Sequence, residues 1–199
     1  MTKYVRGGDF MNGALIVSGS DKGIELITQL LNSDAKTQIV SVKSSTEARR
    51  LINAADYDLV VINTPLSDEF GDDLAVTITE ISASGVILIV KNEMADDISA
   101  KVENFGVLTV SKPIIRQVFI QAQKLALASK NRILGLKSEN ISLHQKIEEI
   151  RLVTRAKCVL IQYLGMTENQ AHRYIEKQAM DMRTTRQEIA QNILKTYED

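Results

Sequence analysis

The sequence predicts an α/β protein with a doubly wound, five-stranded parallel sheet, followed by a long coiled-coil helix and a small three-helix C-terminal domain. Three observations support this fold class. Short apolar runs alternate with amphipathic stretches up to Val110, proline is absent after Pro113, and apolar residues recur at heptad spacing within the proline-free part. Strands that alternate with helices of this length are typical of a parallel sheet covered on both faces.

Five short runs are predicted as buried strands, because both of their faces look apolar. They are residues 14–17, 37–42, 58–63, 85–90 and 106–110. Apolar residues at helical spacing predict helices between them, at residues 22–33, 45–55, 71–82 and 95–104. Right-handed crossovers then place a crevice at the carboxyl ends of the strands.

One very long helix is predicted from Ile114 to about Leu164, where Gly135 is the only helix breaker. Within it a heptad seam steps by three and four residues: Ile133, Leu136, Asn140, Leu143, Ile147 and Ile150. Such a seam requires a partner helix, and Asn140 at an a position can pair with its own copy in a parallel homodimer. The alternative is that Asn140 lies at an exposed or frayed site.

Three short helices are predicted after residue 150. Residues 151–164 close at Gly165, and Thr167 with Gln170 is typical of a capping box that opens residues 168–181. Thr184 or Thr185, with Glu188, opens the third helix. Small residues on faces expected to look inward allow the helices to approach closely: Ala156, Ala171, Ala179 and Ala190.

Composition excludes several classes of function. The 199 residues carry a net charge of −1, with 11 basic and 16 acidic residues in 1–120 and a small basic excess after that. One cysteine, Cys158, and the separated His144 and His172 predict no disulfide, metal site or cofactor. No nucleophile with a base, carboxylate pair or phosphate-binding glycine loop indicates an enzyme. The lack of a long apolar run predicts a cytoplasmic protein without membrane contact.

The order "DLVVINTPLSDEFG" followed by "VLTVSKP" resembles the receiver domains of bacterial response regulators, which have a flavodoxin-like fold. In that family the third strand ends in a phosphate-accepting aspartate, an acidic pair after the first strand holds magnesium, and Lys-Pro follows the fifth strand. Lys112 and Pro113 match this pattern, but the third strand ends on Asn63 and only Asp21 remains of the acidic pair.

An amide is a much poorer nucleophile than a carboxylate, and a single acid would hold magnesium weakly. The resemblance therefore implies a pseudo-receiver in which Asn63, Asp21 and Lys112 form a degenerate phosphoacceptor site. Val90 or Lys91 also replaces the hydroxyl expected after the fourth strand. The alternative is a shifted alignment in which Asp68 or Asp72 accepts phosphate.

Residues 155–194 resemble the ANTAR domain, a three-helix RNA-binding module of bacterial transcription antitermination regulators. The matching signature comprises Ala156-Lys157, Gly165, Ala171 with Tyr174, Ala179 with Met180 and Arg183, and Ala190. The sequence therefore predicts four segments: a flexible N-terminus at 1–12, a pseudo-receiver at 13–125, a coiled-coil linker helix at 126–150 and an ANTAR domain at 151–199.

The resemblance implies a homodimeric antitermination regulator that binds RNA hairpins in leader transcripts, controlled by another signal or by a regulatory protein partner. The candidate RNA-binding residues are Arg155, Lys157, Arg173, Lys177, Arg183 and Arg186, with Tyr174 or Tyr163 stacking on a loop base. Lys177 and Arg186 could equally be solvated helix-face charges, and Tyr174 a core residue. A DNA-binding response regulator and a signalling adaptor without RNA binding are the alternatives.

Overall fold

The computed structural model describes residues 13–31 and 38–198. A five-stranded parallel sheet has the strand order β2-β1-β3-β4-β5, so the predicted fold class is confirmed. The strands are β1 Gly13–Ser18, β2 Gln38–Val42, β3 Leu59–Asn63, β4 Gly85–Lys91 and β5 Leu108–Lys112. The proposed flexible segment 1–12 lies outside the described residues, as do Thr37 and residues 32–33 of two predicted elements.

Four short helices connect the strands, and three further helices come after the last strand in the chain. They are α1 Asp21–Leu31, α2 Ser45–Ala54, α3 Asp72–Ile81, α4 Ala95–Val102, α5 Arg116–Leu164, α6 Glu168–Asp181 and α7 Arg186–Glu198, with 3₁₀ turns at Asn92–Met94 and Glu103–Phe105. The single long helix predicted after Pro113 is confirmed as α5.

Two strands differ from the prediction that all five are buried. Strands β2 and β5 are the sheet edges and are only partly covered, whereas β1, β3 and β4 are nearly inaccessible to solvent. Apolar composition alone does not distinguish an edge strand from a central one. Strand β5 also begins two residues later than predicted, because Gly106 adopts a φ of +77° and closes the preceding turn.

Alternate residues of the central strands point to opposite faces of the sheet, and each face has its own core. Leu15 and Val17 contact the core beneath α2, α3 and α4, whereas Ala14 and Ile16 contact the core that includes α1 and the start of α5. Burial on both faces explains why the central strands read as continuous apolar runs.

The beginning of α5 packs directly on the sheet through Phe119, Ala122 and Ala126. A Cβ atom on Gly85 would lie 2.7 Å from the carbonyl oxygen of Ala126, so the close approach requires glycine there. Lys130 then pairs with the carboxylate of Asp58 at the start of β3. These contacts hold the beginning of α5 against the sheet.

The chain divides into two compact units, residues 1–135 and 136–199, and the boundary lies within α5. In the second unit the end of α5 packs with α6 and α7 around a separate apolar core. Three of the predicted small residues, Ala156, Ala171 and Ala190, are fully buried there, and Ala179 nearly so. The domain boundaries predicted at residues 125 and 150 stay a prediction. No helix among the described residues is both long and apolar enough to cross a membrane.

Local capping signals in the second unit behave as the sequence predicts. Helix α5 ends at Gly165 with a φ of +63°, and Thr167 and Gln170 form a complete capping box at the start of α6. The hydroxyl of Thr185 accepts a hydrogen bond of 3.2 Å from the backbone of Glu188 at the start of α7. The turns that orient the three helices are therefore specified locally.

Candidate nucleic-acid interface and strand-end crevice

Asn63 ends β3 beside Ser18, its neighbour in the register of β1. Its Nδ2 donates a 2.9 Å hydrogen bond to Ser18 Oγ, which in turn donates to the carbonyl of Ser20 at 3.2 Å. The buried Oδ1 of Asn63 has no hydrogen-bond partner among the described residues. The amide is therefore held by a neutral hydroxyl in the place where the receiver pattern has acidic groups.

The first turn of α1 lies directly over this pair. A Cβ atom on Gly23 would be 2.4 Å from Asn63 Nδ2 and 2.6 Å from Ser18 Oγ. The backbone of Gly23 is also fixed, because its N–H donates to Ser20 Oγ at 3.2 Å. Any larger residue at position 23 would have to displace the amide or the helix.

The other two predicted members of the degenerate site are bonded elsewhere. Asp21 forms an exposed 2.8 Å ion pair with Lys43, and Lys112 Nζ donates to the carbonyl of Thr64 at 2.5 Å. Burial, together with the charge of Lys91, lowers the pKa of Lys112. The structure therefore brings Asn63 to Ser18, and it joins neither Asp21 nor Lys112 to the Asn63 side chain.

Asp68, the alternative phosphate acceptor, caps the N-terminus of α2. Its two oxygens accept hydrogen bonds of 2.8 to 3.1 Å from the backbones and hydroxyls of Ser45 and Thr46. These bonds, the backbone of Ser45 first, hold the pKa of the Asp68 carboxyl well below its usual range. Arg49 reinforces the contact by pairing with Glu69 at 3.2 Å. Sequence reasoning missed this cap because Thr46 and Ser45 are 22 and 23 residues away from Asp68 in the chain.

The predicted basic residues of the second unit fall into two groups. Lys157 pairs with Glu168 at 3.0 Å, and Arg186 pairs with Glu149 at 2.9 Å. Lys157 also lowers the pKa of the Glu168 carboxyl, through a hydrogen bond first and its charge second. Only 18% of the Lys157 side chain is exposed. Both cations therefore hold the three helices together, which limits their availability for a ligand.

Arg173, Lys177 and Arg183 form the second group. All three are exposed, and within residues 38–198 none of them forms an ion pair. Arg173 and Lys177 are four residues apart and share one face of α6. Arg155 is exposed as well, but it interacts within the chain. Unpaired exposed cations are the ones that can contact an anionic ligand without first breaking a bond.

A left-handed cap positions Arg183 after α6. Its φ is +54°, its N–H donates to the carbonyl of Met180 at 3.2 Å, and the N–H of Thr184 donates to Ala179 at 3.0 Å. This pair of bonds is a Schellman motif, which usually has glycine at the left-handed position. Arginine adopts here a backbone conformation that is less favourable for it than for glycine.

The proposed dimer seam is exposed along its whole length. Its apolar members leave between 46% and 65% of their surface accessible: Ile133, Leu136, Leu143, Ile147 and Ile150. Asn140, at the central a position, is exposed between them. An apolar row of this length, repeated every three and four residues, is the pattern that a second helix covers.

Comparison with known proteins assigns both units. Residues 142–194 match the family model of the ANTAR domain. The chain is also similar to the signal receiver domain of an HD domain-containing protein from Pseudomonas fluorescens Pf-5, with a TM-score of 0.58, 22% identity and coverage of 66% of this chain and 97% of that one. A response regulator receiver domain protein from Clostridium thermocellum gives a TM-score of 0.52, 21% identity and coverage of 61% and 98%.

The chain combines a receiver fold with an ANTAR domain. It is also 26% identical over 170 residues to the transcriptional regulatory protein PdtaR of Mycobacterium tuberculosis, covering 85% of this chain and 83% of that one. The resemblance to an ANTAR response regulator is confirmed. The matched ANTAR segment begins 13 residues before the predicted start at residue 155 and therefore includes part of the seam.

The two candidate stacking residues of the ANTAR domain differ in their surroundings. Tyr174 is 39% exposed and lies next to Arg173 and three residues before Lys177. Tyr163 is engaged with Tyr197, at a ring-centroid distance of 5.5 Å and an interplanar angle of 31°. Tyr174 is therefore the better placed of the two to contact a base beside unpaired cations.

A cleft of about 420 Å³ lies among the three helices of the ANTAR domain. Ile150 and Val153 of α5 line it with several polar side chains, including Lys146, His172 and Arg186. Sequence reasoning did not find this cleft, because its lining residues come from three helices that are distant in the chain.

Replacing Asp68 by asparagine in the receiver is expected to lower the urea midpoint of unfolding at neutral pH. The amide keeps one acceptor oxygen and turns an N–H group towards donors that need an acceptor. Because the folded pKa of Asp68 is depressed, its contribution is fully present above the ordinary value of 3.8 and decreases as the pH falls towards the folded pKa.

The difference in urea midpoint between the wild-type protein and Asp68→Asn should therefore be largest at neutral pH and should narrow progressively as the pH falls below about 4. Asp56→Asn is the matched control, since Asp56 is exposed and forms no hydrogen bond within the described residues. A difference that stays constant with pH would show that charge on Asp68 does not support α2.

Proposed function

We propose that the protein is an RNA-binding transcription antitermination regulator, which binds hairpins in leader transcripts as a homodimer without phosphorylation of its receiver. The ANTAR match over residues 142–194 carries this proposal. Similarity to the transcriptional regulatory protein PdtaR is consistent with a role in transcription. The protein acts by binding RNA and has no catalytic step of its own.

The unpaired cations of α6 support an RNA ligand. Arg173, Lys177 and Arg183 supply positive charge to phosphates, which contributes affinity and salt dependence but no sequence preference. Tyr174 adds an aromatic face for an unstacked base in a hairpin loop, where single-stranded bases are accessible. Together these residues suit a ligand that combines a charged stem with an open loop.

The exposed seam supports a dimer. When two parallel α5 helices pair along the seam, Asn140 meets its own copy at the central a position. The dimer then carries two ANTAR domains, one from each chain. A second hairpin on the same transcript then binds in an intramolecular step. Such coupling raises avidity by about 10²–10⁴ when the spacing fits.

The contacts of Asn63 and Asp68 at the carboxyl ends of the strands support phosphate independence. Asn63 bonds to Ser18, Gly23 lies over both, and Asp68 is fully engaged by α2. A carboxylate that already accepts several hydrogen bonds, with a depressed pKa, is a poor nucleophile. A regulatory protein partner or another signal then controls the receiver, and phosphorylation by a kinase does not.

The test uses the full-length protein and a two-hairpin RNA selected from a library with randomised loops. Binding and dimerisation are expected without acetyl phosphate and unchanged by it. Arg173→Glu combined with Lys177→Glu is expected to weaken binding by about 10- to 100-fold. It should also reduce the slope of log K against log salt by about three to four units, because two cations are lost from each chain of the dimer. Filter binding at several salt concentrations measures both.

Lys101→Glu combined with Lys124→Glu is the matched control, because it changes the charge equally at exposed positions of the receiver unit. Charge reversal at Lys157 is a less specific test, since it also breaks the pair with Glu168. Phosphate-dependent dimerisation would contradict the proposal. Absence of RNA binding by the wild-type protein would favour an adaptor that binds only proteins.

A further inference from the structure

Six side chains flank the exposed seam at the heptad positions e and g, where a coiled coil normally carries complementary charges. They are Arg132, Lys137, Glu139, His144, Lys146 and Arg151. Glu139 is the only acidic residue among the six. All six are exposed. The edges of the seam are therefore predominantly basic, although the whole chain carries a net charge of −1.

In a parallel two-stranded coiled coil, a g residue faces the e residue five positions later on the other helix. Arg132 then faces the partner's Lys137, and Lys146 faces the partner's Arg151. Glu139 faces the partner's His144. Two of these three contacts bring like charges together, and the twofold symmetry doubles each of them.

The chain itself does little to neutralise these cations. Arg132, Lys137 and Lys146 form no ion pair within the described part of α5. Arg151 pairs with Glu148 at 2.8 Å, but both side chains are more than half exposed, so solvent weakens the pair. Repulsion between the two helices therefore remains uncompensated in the protein alone.

We infer that RNA phosphates bind the basic edges of this helical stalk, Arg132 with Lys137 and Lys146 with Arg151, and thereby couple RNA binding to closure of the dimer seam. The inference rests on the parallel dimer of the proposed function and adds a second RNA contact, separate from Arg173 and Lys177. RNA then stabilises the dimer by neutralising the like-charged contacts.

The spacing of the basic contacts favours a polymer over a small anion. Arg132 and Lys146 are 14 residues apart, which is about 21 Å along a helix. A single phosphate ion can neutralise only one of the two contacts, whereas the backbone of one RNA strand can reach both. The RNA that leaves the ANTAR domains is the polyanion already present in the complex.

Sedimentation equilibrium of the full-length protein tests the inference at 50 and 300 mM NaCl, with and without poly(U). For the wild type, the dimer dissociation constant should fall as salt screens the like charges, and it should fall by about tenfold or more with poly(U). Lys137→Glu combined with Lys146→Glu converts both contacts into opposite charges. That variant should dimerise at least about tenfold more tightly without RNA, weaken with salt and lose its response to poly(U).

Lys101→Glu combined with Lys124→Glu controls for net charge and should behave like the wild type. A wild-type dimer that weakens with salt and ignores poly(U) would overturn the stalk contact but leave the proposed function intact. Looser association of Lys146→Glu alone would indicate antiparallel helices, in which position 146 faces the partner's Glu139, and would also overturn it. A protein that stays monomeric in every condition would overturn both the inference and the proposed dimer.

Discussion

Replacing Leu143 and Ile147 together by lysine is expected to convert the protein into a monomer and to weaken binding of a two-hairpin RNA by about a hundredfold or more. In the proposed dimer these residues occupy adjacent d and a positions, and they are 52% and 46% exposed in the single chain. Each buried side chain of this size contributes about 1.5–3 kcal/mol, and the substitution also places four cations in the seam.

Analytical ultracentrifugation and filter binding measure the two effects. Ser138→Lys combined with Gln145→Lys adds the same charge at the outward f positions of the same helix and should leave the dimer intact. Binding of an RNA with a single hairpin should not fall in either variant, because each ANTAR domain remains folded. Persistence of the dimer after both seam substitutions would show that the chains associate elsewhere.

Replacing Ile175 by alanine is expected to destabilise the ANTAR domain by about 2–5 kcal/mol. Ile175 is fully buried at the centre of the core formed by α5, α6 and α7. A core of this size supplies only a few kcal/mol of net stability, so a substantial fraction of the domain should unfold near 37 °C. RNA binding should be lost with it.

Circular dichroism and calorimetry of the full chain follow this loss. The transition of the receiver should keep its midpoint, because its two cores share no residue with the core around Ile175. Met180→Ala on the same helix removes a side chain that is 72% exposed and should change stability by less than about 0.5 kcal/mol. Equal destabilisation by both variants would show that burial of Ile175 is not what stabilises the domain.

Much of the fold was predictable because its signals are local. Apolar runs and helical spacing predict the central strands and the helices, and Thr167 with Gln170 marks the start of α6 within four residues. Gly165 marks the end of α5 in the same way. The predicted bounds differ most at β5, which lies two residues further along the chain than predicted because Gly106 adopts a left-handed conformation before it.

The chemistry around the sites was less predictable, because it depends on side chains that meet across the fold. The residue types at positions 63 and 112 indicate a degenerate receiver, but only the structure shows that Asn63 bonds to Ser18 and that Asp68 caps α2. The six predicted cations look alike in the sequence. The structure separates Lys157 and Arg186, which are paired with carboxylates, from the unpaired cations of α6.

The sequence by itself determined the kind of protein: an alternation of strands and helices, an asparagine at the end of the third strand, apolar residues at heptad spacing and an ANTAR signature, all readable from residue types and spacing along the chain. Tertiary structure alone decided which strands lie at the edges, which carboxylate caps which helix and which basic residues remain unpaired. The physical reason is that hydrogen bonds and ion pairs act over about 3 Å in space, whereas the partners of Lys157, Asn63 and Lys130 are 11, 45 and 72 residues away in the chain.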